Sequence, residues 1–133
     1  MCTRIAFICV LLFSCGTACA QNFGALHLYL WTESRSVVLT EYEKYNRDGK
    51  EVQKHLNAND ATNNGMFIGF VGGVADGLEK KEAICPSSDD PLSLYLFAVS
   101  EYVKKHPRPE LFGQDAYKIV ATVLIEKFAC RSK

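Results

Sequence analysis

Few side chains in this sequence have the type and spacing to do chemistry. Beyond residue 20 the cysteines are Cys85 and Cys130, close enough in type to a reactive or metal-binding pair to need weighing. Zinc would need about four ligands at recognisable spacing, and His27, His55 and His106 form no such cluster around them. His106 precedes Pro107 and reads as a helix-end residue rather than a general base. Asp89, Asp90 and Glu110 are the carboxylates an acid–base pair would be drawn from, but all fall in loop or cap positions, where solvated charge is the better reading. Asp76 stands apart because it interrupts an apolar helical stretch; it is expected to bond a neighbouring helix terminus or loop amide, or else to touch a partner. Gly69-Phe-Val-Gly-Gly73 does not match a dinucleotide-binding glycine loop and lies within a helical pattern rather than after a strand. Neither a nucleophile elbow nor an H-E-x-x-H pair occurs. No catalytic, cofactor-binding or metal-ligating residue is therefore assigned, no cofactor is called for, and the chain does not read as an enzyme.

The cysteines are better explained by export. Residues 1–20 read as a signal peptide: Arg4 supplies a short positive start, Ile5 to Phe13 an apolar run, and Ala18-Cys19-Ala20 a small-x-small site with cleavage between Ala20 and Gln21. The apolar run is shorter than the roughly 20 residues that span a bilayer. Leu12-Phe13-Ser14-Cys15 offers a lesser alternative, lipidation at Cys15, with bulky Phe13 where a small residue is usual. Cleavage after Ala20 removes Cys2, Cys9, Cys15 and Cys19 and leaves Cys85 and Cys130, which an oxidising compartment would pair. A disulfide closing a loop of about 46 residues is worth roughly 4 kcal/mol on the chain-entropy estimate. That is a large share of the roughly 5–15 kcal/mol that keeps a domain folded.

Residues 21–133 suit one domain with one core, and no later segment is apolar enough to span a membrane. Loss of Arg4 from 15 basic residues leaves them one short of the 15 acidic ones, a balance that offers nucleic acid nothing to bind.

The elements that must position these residues read as helices. Asn22 to Asn46 is helical but irregular, with Ser34-Arg35-Ser36 as a possible break, and Glu51 to Leu56 suggests a short polar helix. Asn57 to Asn64 is a turn-prone run, with Thr62 or Asn63 as the expected cap of a helix over 64–82. In that helix Phe67, Phe70, Val71, Val74, Ala75 and Leu78 make one stripe, and Gly65, Gly69, Gly73 and Gly77 another. Each interior glycine costs roughly 1 kcal/mol relative to alanine, so four in line predict something lying close to the backbone: a neighbouring core helix, a second protein or a second copy. Asp90-Pro91 is a helix start, followed by an apolar face of Leu92, Tyr95, Leu96, Val99, Tyr102 and Val103. The last helix, 114–129, carries Ala116, Tyr117, Val120, Val123, Leu124 and Phe128, widened by Ile119 and Ile125. The expected fold is all-α, a single compact domain of four to five helices stapled by one disulfide.

Several pieces of the second half, in order, resemble the Rap/Tai family of immunity proteins of type VI secretion systems. Ile68-Gly-Phe-Val-Gly-Gly-Val-Ala-Asp76 is similar to that family's G-Y-x-x-G-V-x-D segment with Phe70 for tyrosine. Cys85-Pro86 is similar to its Cys-x-Pro, a helix ending in His106-Pro107 follows, and Phe128-Ala129-Cys130 is similar to its closing Phe-Pro-Cys. Family members typically carry four cysteines. Here Met66 stands near one of the other positions and Trp31 or Thr32 near the second, as loss of one whole bridge would leave them.

The resemblance implies a helical periplasmic protein, often a homodimer, that binds a peptidoglycan-cleaving amidase effector and blocks its active cleft. Occlusion of that kind needs no catalytic residue in the inhibitor. The alternative is an envelope helical binding module or chaperone of the same family without an effector partner. The partner-binding segment expected is the exposed loop Ser87, Ser88, Asp89 and Asp90, held by the staple at Cys85.

Overall fold

An acceptor side chain opens most of the long helices. The computed structural model describes residues 23–48, 57–86, 89–106, 108–111 and 113–130. Residues 1–20, the Ala20–Gln21 junction, the stretch 51–56, Ser87 and Ser88 lie outside the described residues. The helices are α1 (Ala25–Asp48), α2 (Ala58–Glu79), α3 (Pro91–Lys105), the short α4 (Arg108–Leu111) and α5 (Ala116–Phe128). The Asn57 side chain accepts from Asp60 N–H at 2.8 Å, Asp90 from Ser93 N–H at 3.2 Å, and Asp115 from Tyr117 N–H at 2.8 Å. Each bond satisfies one of the amides that a helix start leaves without an intrahelical partner. Pro91 follows the Asp90 cap at the position where a missing N–H costs nothing. Capping holds the Asp90 carboxyl below its usual range, through its bonds to Ser93. The chain is all-α: among the described residues the only β-type pairings are the isolated bridges Gly24–Asp115 and Ile84–Ala129.

α2 starts a turn and a half earlier than the sequence pattern suggests. Asn57, not Thr62 or Asn63, is the cap, and the polar run that follows it is helical. The reason is tertiary. Asn63 donates to Ser34 Oγ at 3.2 Å and Asn64 accepts from Arg35 at 3.4 Å, so side chains that would otherwise compete with the helix backbone are engaged across the α1–α2 seam. The same bonds explain why Ser34-Arg35-Ser36 does not break α1. Ser34 is buried in the seam, and the Arg35 guanidinium lies 5.9 Å over the Phe67 ring.

The core is built from Leu28 and Trp31 of α1, Phe67, Val71, Val74 and Leu78 of α2, Tyr95, Leu96, Val99 and Val103 of α3, and Ile119, Val120, Val123 and Leu124 of α5. Leu111 of α4 closes one end. Two residues of the expected α5 stripe, Tyr117 and Ile125, instead face solvent. Phe128 is half-buried, edge-on to the Tyr95 ring at 4.9 Å. The Tyr95 hydroxyl donates to Glu79 Oε1 at 2.9 Å, which joins α3 to the last turn of α2. Burial first, and then that carboxylate, push the Tyr95 hydroxyl up to about 12.

In the turn just past α2 a residue that is not glycine is left-handed: Glu82 has φ 54°, and the Ala83 amide reaches back to Leu78 O at 2.9 Å. The chain then turns to the staple. Cys85 and Cys130 form a disulfide with their Cα atoms 4.9 Å apart. Beside it the Cys85 amide donates to Phe128 O at 2.9 Å. At α1's start, Ala25 N–H donates to Gln114 O at 3.0 Å and Ala116 N–H to Phe23 O at 2.8 Å.

Candidate functional site

α1 has 24 residues and α3 has 15, so at 1.5 Å per residue α1 is about 36 Å long and α3 about 22 Å. The difference appears as an arm. On α1, Leu28, Trp31, Arg35, Val38, Tyr42 and Tyr45 recur at alternating spacings of three and four, which keeps them on one face. That face is buried as far as Trp31 and Thr32 and then comes out of the core. From Arg35 to Arg47 no side chain of α1 is buried, and none of α2 before Phe67. Tyr42 is 56% exposed and Tyr45 40%, with Val37 and Leu39 comparably open beside them. The stripe that anchors α1 therefore continues as apolar and aromatic surface where the body no longer reaches it. Such surface, amphipathic and low in rotamer entropy, is the kind that protein partners bury.

At the root of the arm lies a cleft of about 740 Å³ between α1, the first turns of α2 and the last turn of α3. α1 contributes Tyr29, Leu30, Thr32, Glu33, Ser34, Ser36 and Val37; α2 contributes Asp60 and Asn63; α3 contributes Val103 and Lys104. Its volume lies in the range of small-ligand sites. Thr32 turns its hydroxyl to Leu28 O at 2.8 Å, and Ser34 accepts from Asn63, so the deep part of the wall is internally bonded.

A third feature is the glycine stripe. A Cβ added at Gly65, Gly69, Gly73 or Gly77 would meet nothing within 4 Å, whereas one at Gly72 would meet Leu92 Cδ1 at 3.5 Å. Hence α3 packs on the Gly72 side, and the stripe faces outward, away from Phe67, Val71, Val74 and Leu78. Among the described residues no neighbouring core helix covers the stripe. Asp76 lies on this outward face and pairs with Lys80, one turn on, at 2.6 Å; among the described residues it reaches neither a neighbouring helix terminus nor a loop amide.

The residues singled out for chemistry are dispersed. His27 is exposed, its ring 5.4 Å from Phe23 and 6.0 Å from Trp31. His106 stacks on Tyr102 at 3.9 Å, and its Nδ1 lies 2.8 Å from Tyr102 O; a carbonyl only accepts, so Nδ1 carries the proton. Glu110 is exposed, with its backbone carbonyl accepting from Gln114 Nε2 at 2.7 Å. Among the described residues no three His, Cys, Asp or Glu side chains converge as a metal site would require, and no helix is long and apolar enough to cross a membrane. Of the expected partner-binding loop, Asp89 is exposed and Asp90 is the α3 cap, which spends its carboxylate on Ser93. Asp90 and the cleft sit at opposite ends of α3, roughly 20 Å apart along the helix.

The arm and the cleft were not foreseen from the sequence. Their one signal was the poor regularity of 22–46, where apolar residues occur on more than one face because the helix serves a core at one end and a surface at the other. Comparison with protein-family models, curated proteins and solved structures finds no match for this chain.

Proposed function

We propose that this protein is an exported binding protein whose activity lies in its outline, and that its partner is the peptidoglycan amidase effector of a type VI secretion system, which it occludes as an immunity protein in the periplasm. The observation that carries the reading is the α1 arm, where Val37, Leu39, Tyr42 and Tyr45 present apolar surface beyond the core. A projecting helix of this kind can enter an enzyme cleft and exclude substrate with no reactive group of its own. The named partner rests on the resemblance of the Gly69–Asp76 segment and the Cys85 and Cys130 motifs to the Rap/Tai family. The outward glycine stripe supports a homodimer, since four residues without side chains let a second copy approach the α2 backbone closely.

Co-purification from the native host, read by mass spectrometry, tests the partner. An amidase should co-elute with the wild-type chain and be inhibited by it, and Tyr42→Ala/Tyr45→Ala should lose that capture at unchanged melting temperature. A wild-type chain that neither binds nor inhibits the host's amidase effectors would overturn the immunity reading. Capture of other envelope proteins through the same two tyrosines would favour the binding module or chaperone instead.

A further inference from the structure

The cleft at the arm's root holds two opposite charges that do not meet. Asp60 comes from the first turn of α2 and Lys104 from the last turn of α3, and both line the same concavity. Among the described residues neither side chain has a hydrogen-bond or ion-pair partner. The third charged group of the lining, Glu33, is engaged in an interaction of its own. Helix dipoles account for the signs, an acid at an N-terminus and a base at a C-terminus. They do not account for an acid and a base from two different helices lining one 740 Å³ space without pairing with each other.

Asp60 is half-buried and Lys104 exposed, so an occupant covering them is best matched when it pairs both charges rather than one or neither. A molecule with an ammonium at one end and a carboxylate at the other satisfies both. Between them the wall offers the Ser36 hydroxyl and the Asn63 amide, whose other donor already goes to Ser34, for peptide groups. Leu30 and Val37, both exposed, offer apolar surface for a side chain. We propose that the cleft binds a short peptide with free termini, its amino group at Asp60 and its carboxylate at Lys104. The site borders the arm's apolar surface at Val37 but includes neither Tyr42 nor Tyr45, and it does not depend on the identity of any protein partner.

Calorimetric titration of the purified full chain with trialanine, N-acetyl-trialanine and trialanine amide tests this. The free tripeptide should bind about tenfold more tightly than either capped form, one charge contact being lost with each cap. Asp60→Asn should abolish discrimination against the acetylated peptide and keep that against the amide; Lys104→Met should do the converse. Unchanged melting temperatures of both variants would show the fold intact. Saturable binding that ignores both caps, no binding of trialanine at about millimolar concentration, or loss of both discriminations in a single variant would each overturn the proposal.

Discussion

The two ends of the α1–α2 pair obey different rules although the same two helices build both. At the inner end, Leu28, Trp31, Phe67 and Val71 sit among residues from every other helix, and the Cys85–Cys130 bridge ties the close of α5 to the loop beyond α2. At the outer end, from Arg35 onward, the same spacing of residues carries Tyr42 and Tyr45 into solvent. A heptad-like stripe is thus no guide by itself to burial. What decides is whether another element is long enough to lie opposite, and α3 and α5 are not.

If that contrast is right, mutations at the two ends should separate stability from binding. Phe67→Ala, at a fully buried ring, should cost about 3–5 kcal/mol in urea unfolding; a loss below about 1 kcal/mol would mean the core is not centred there. Replacing Cys85 and Cys130 together by serine should cost roughly 3–4 kcal/mol, and adding reductant should cost the wild type the same. Gly69→Ala/Gly73→Ala should stabilise the isolated chain by roughly 2 kcal/mol, since alanine is the better helix former and no atom opposes the new methyls. Loss of a dimer in light scattering by the same variant would show that a second copy uses the stripe.

Tyr95→Phe should cost about 1 kcal/mol at neutral pH through its bond to Glu79. It also has a pH signature. A tyrosine whose folded value is raised contributes stability that is whole below about pH 10, the unfolded value, and lost as pH rises through about 12. The variant should therefore show less alkaline destabilisation in that window, and identical alkaline curves would remove Tyr95 as its source. Smallest of all, Tyr42→Ala should change stability by no more than about 0.5 kcal/mol. A larger loss would mean the arm is part of the core after all.

The inner end was legible in the sequence because every signal there agrees. Phe67 to Leu78 follows one helical stripe, Asp90-Pro91 is a start signal, and Cys85 and Cys130 had few competing roles once the first twenty residues were set aside. The outer end was not legible because local preference and tertiary demand conflict. Asn63, Asn64 and Ser34 favour turns in isolation, and their bonds across the seam hold them helical. The glycine stripe was visible as a pattern, but its direction was not, for a repeat every fourth residue says which residues share a face and nothing about where that face points. The cleft was invisible because Asp60 and Lys104 lie 44 positions apart and come to one concavity only through the packing of three helices.

The left-handed turn at Glu82 has a consequence for how the sulfurs find each other. By reversing the chain immediately after α2, it delivers Ile84 to its pairing with Ala129 and the Cys85 amide to Phe128, contacts that owe nothing to sulfur. Oxidation then locks a junction that the backbone has already aligned, so the folded thiol form should re-form the bond without unfolding first.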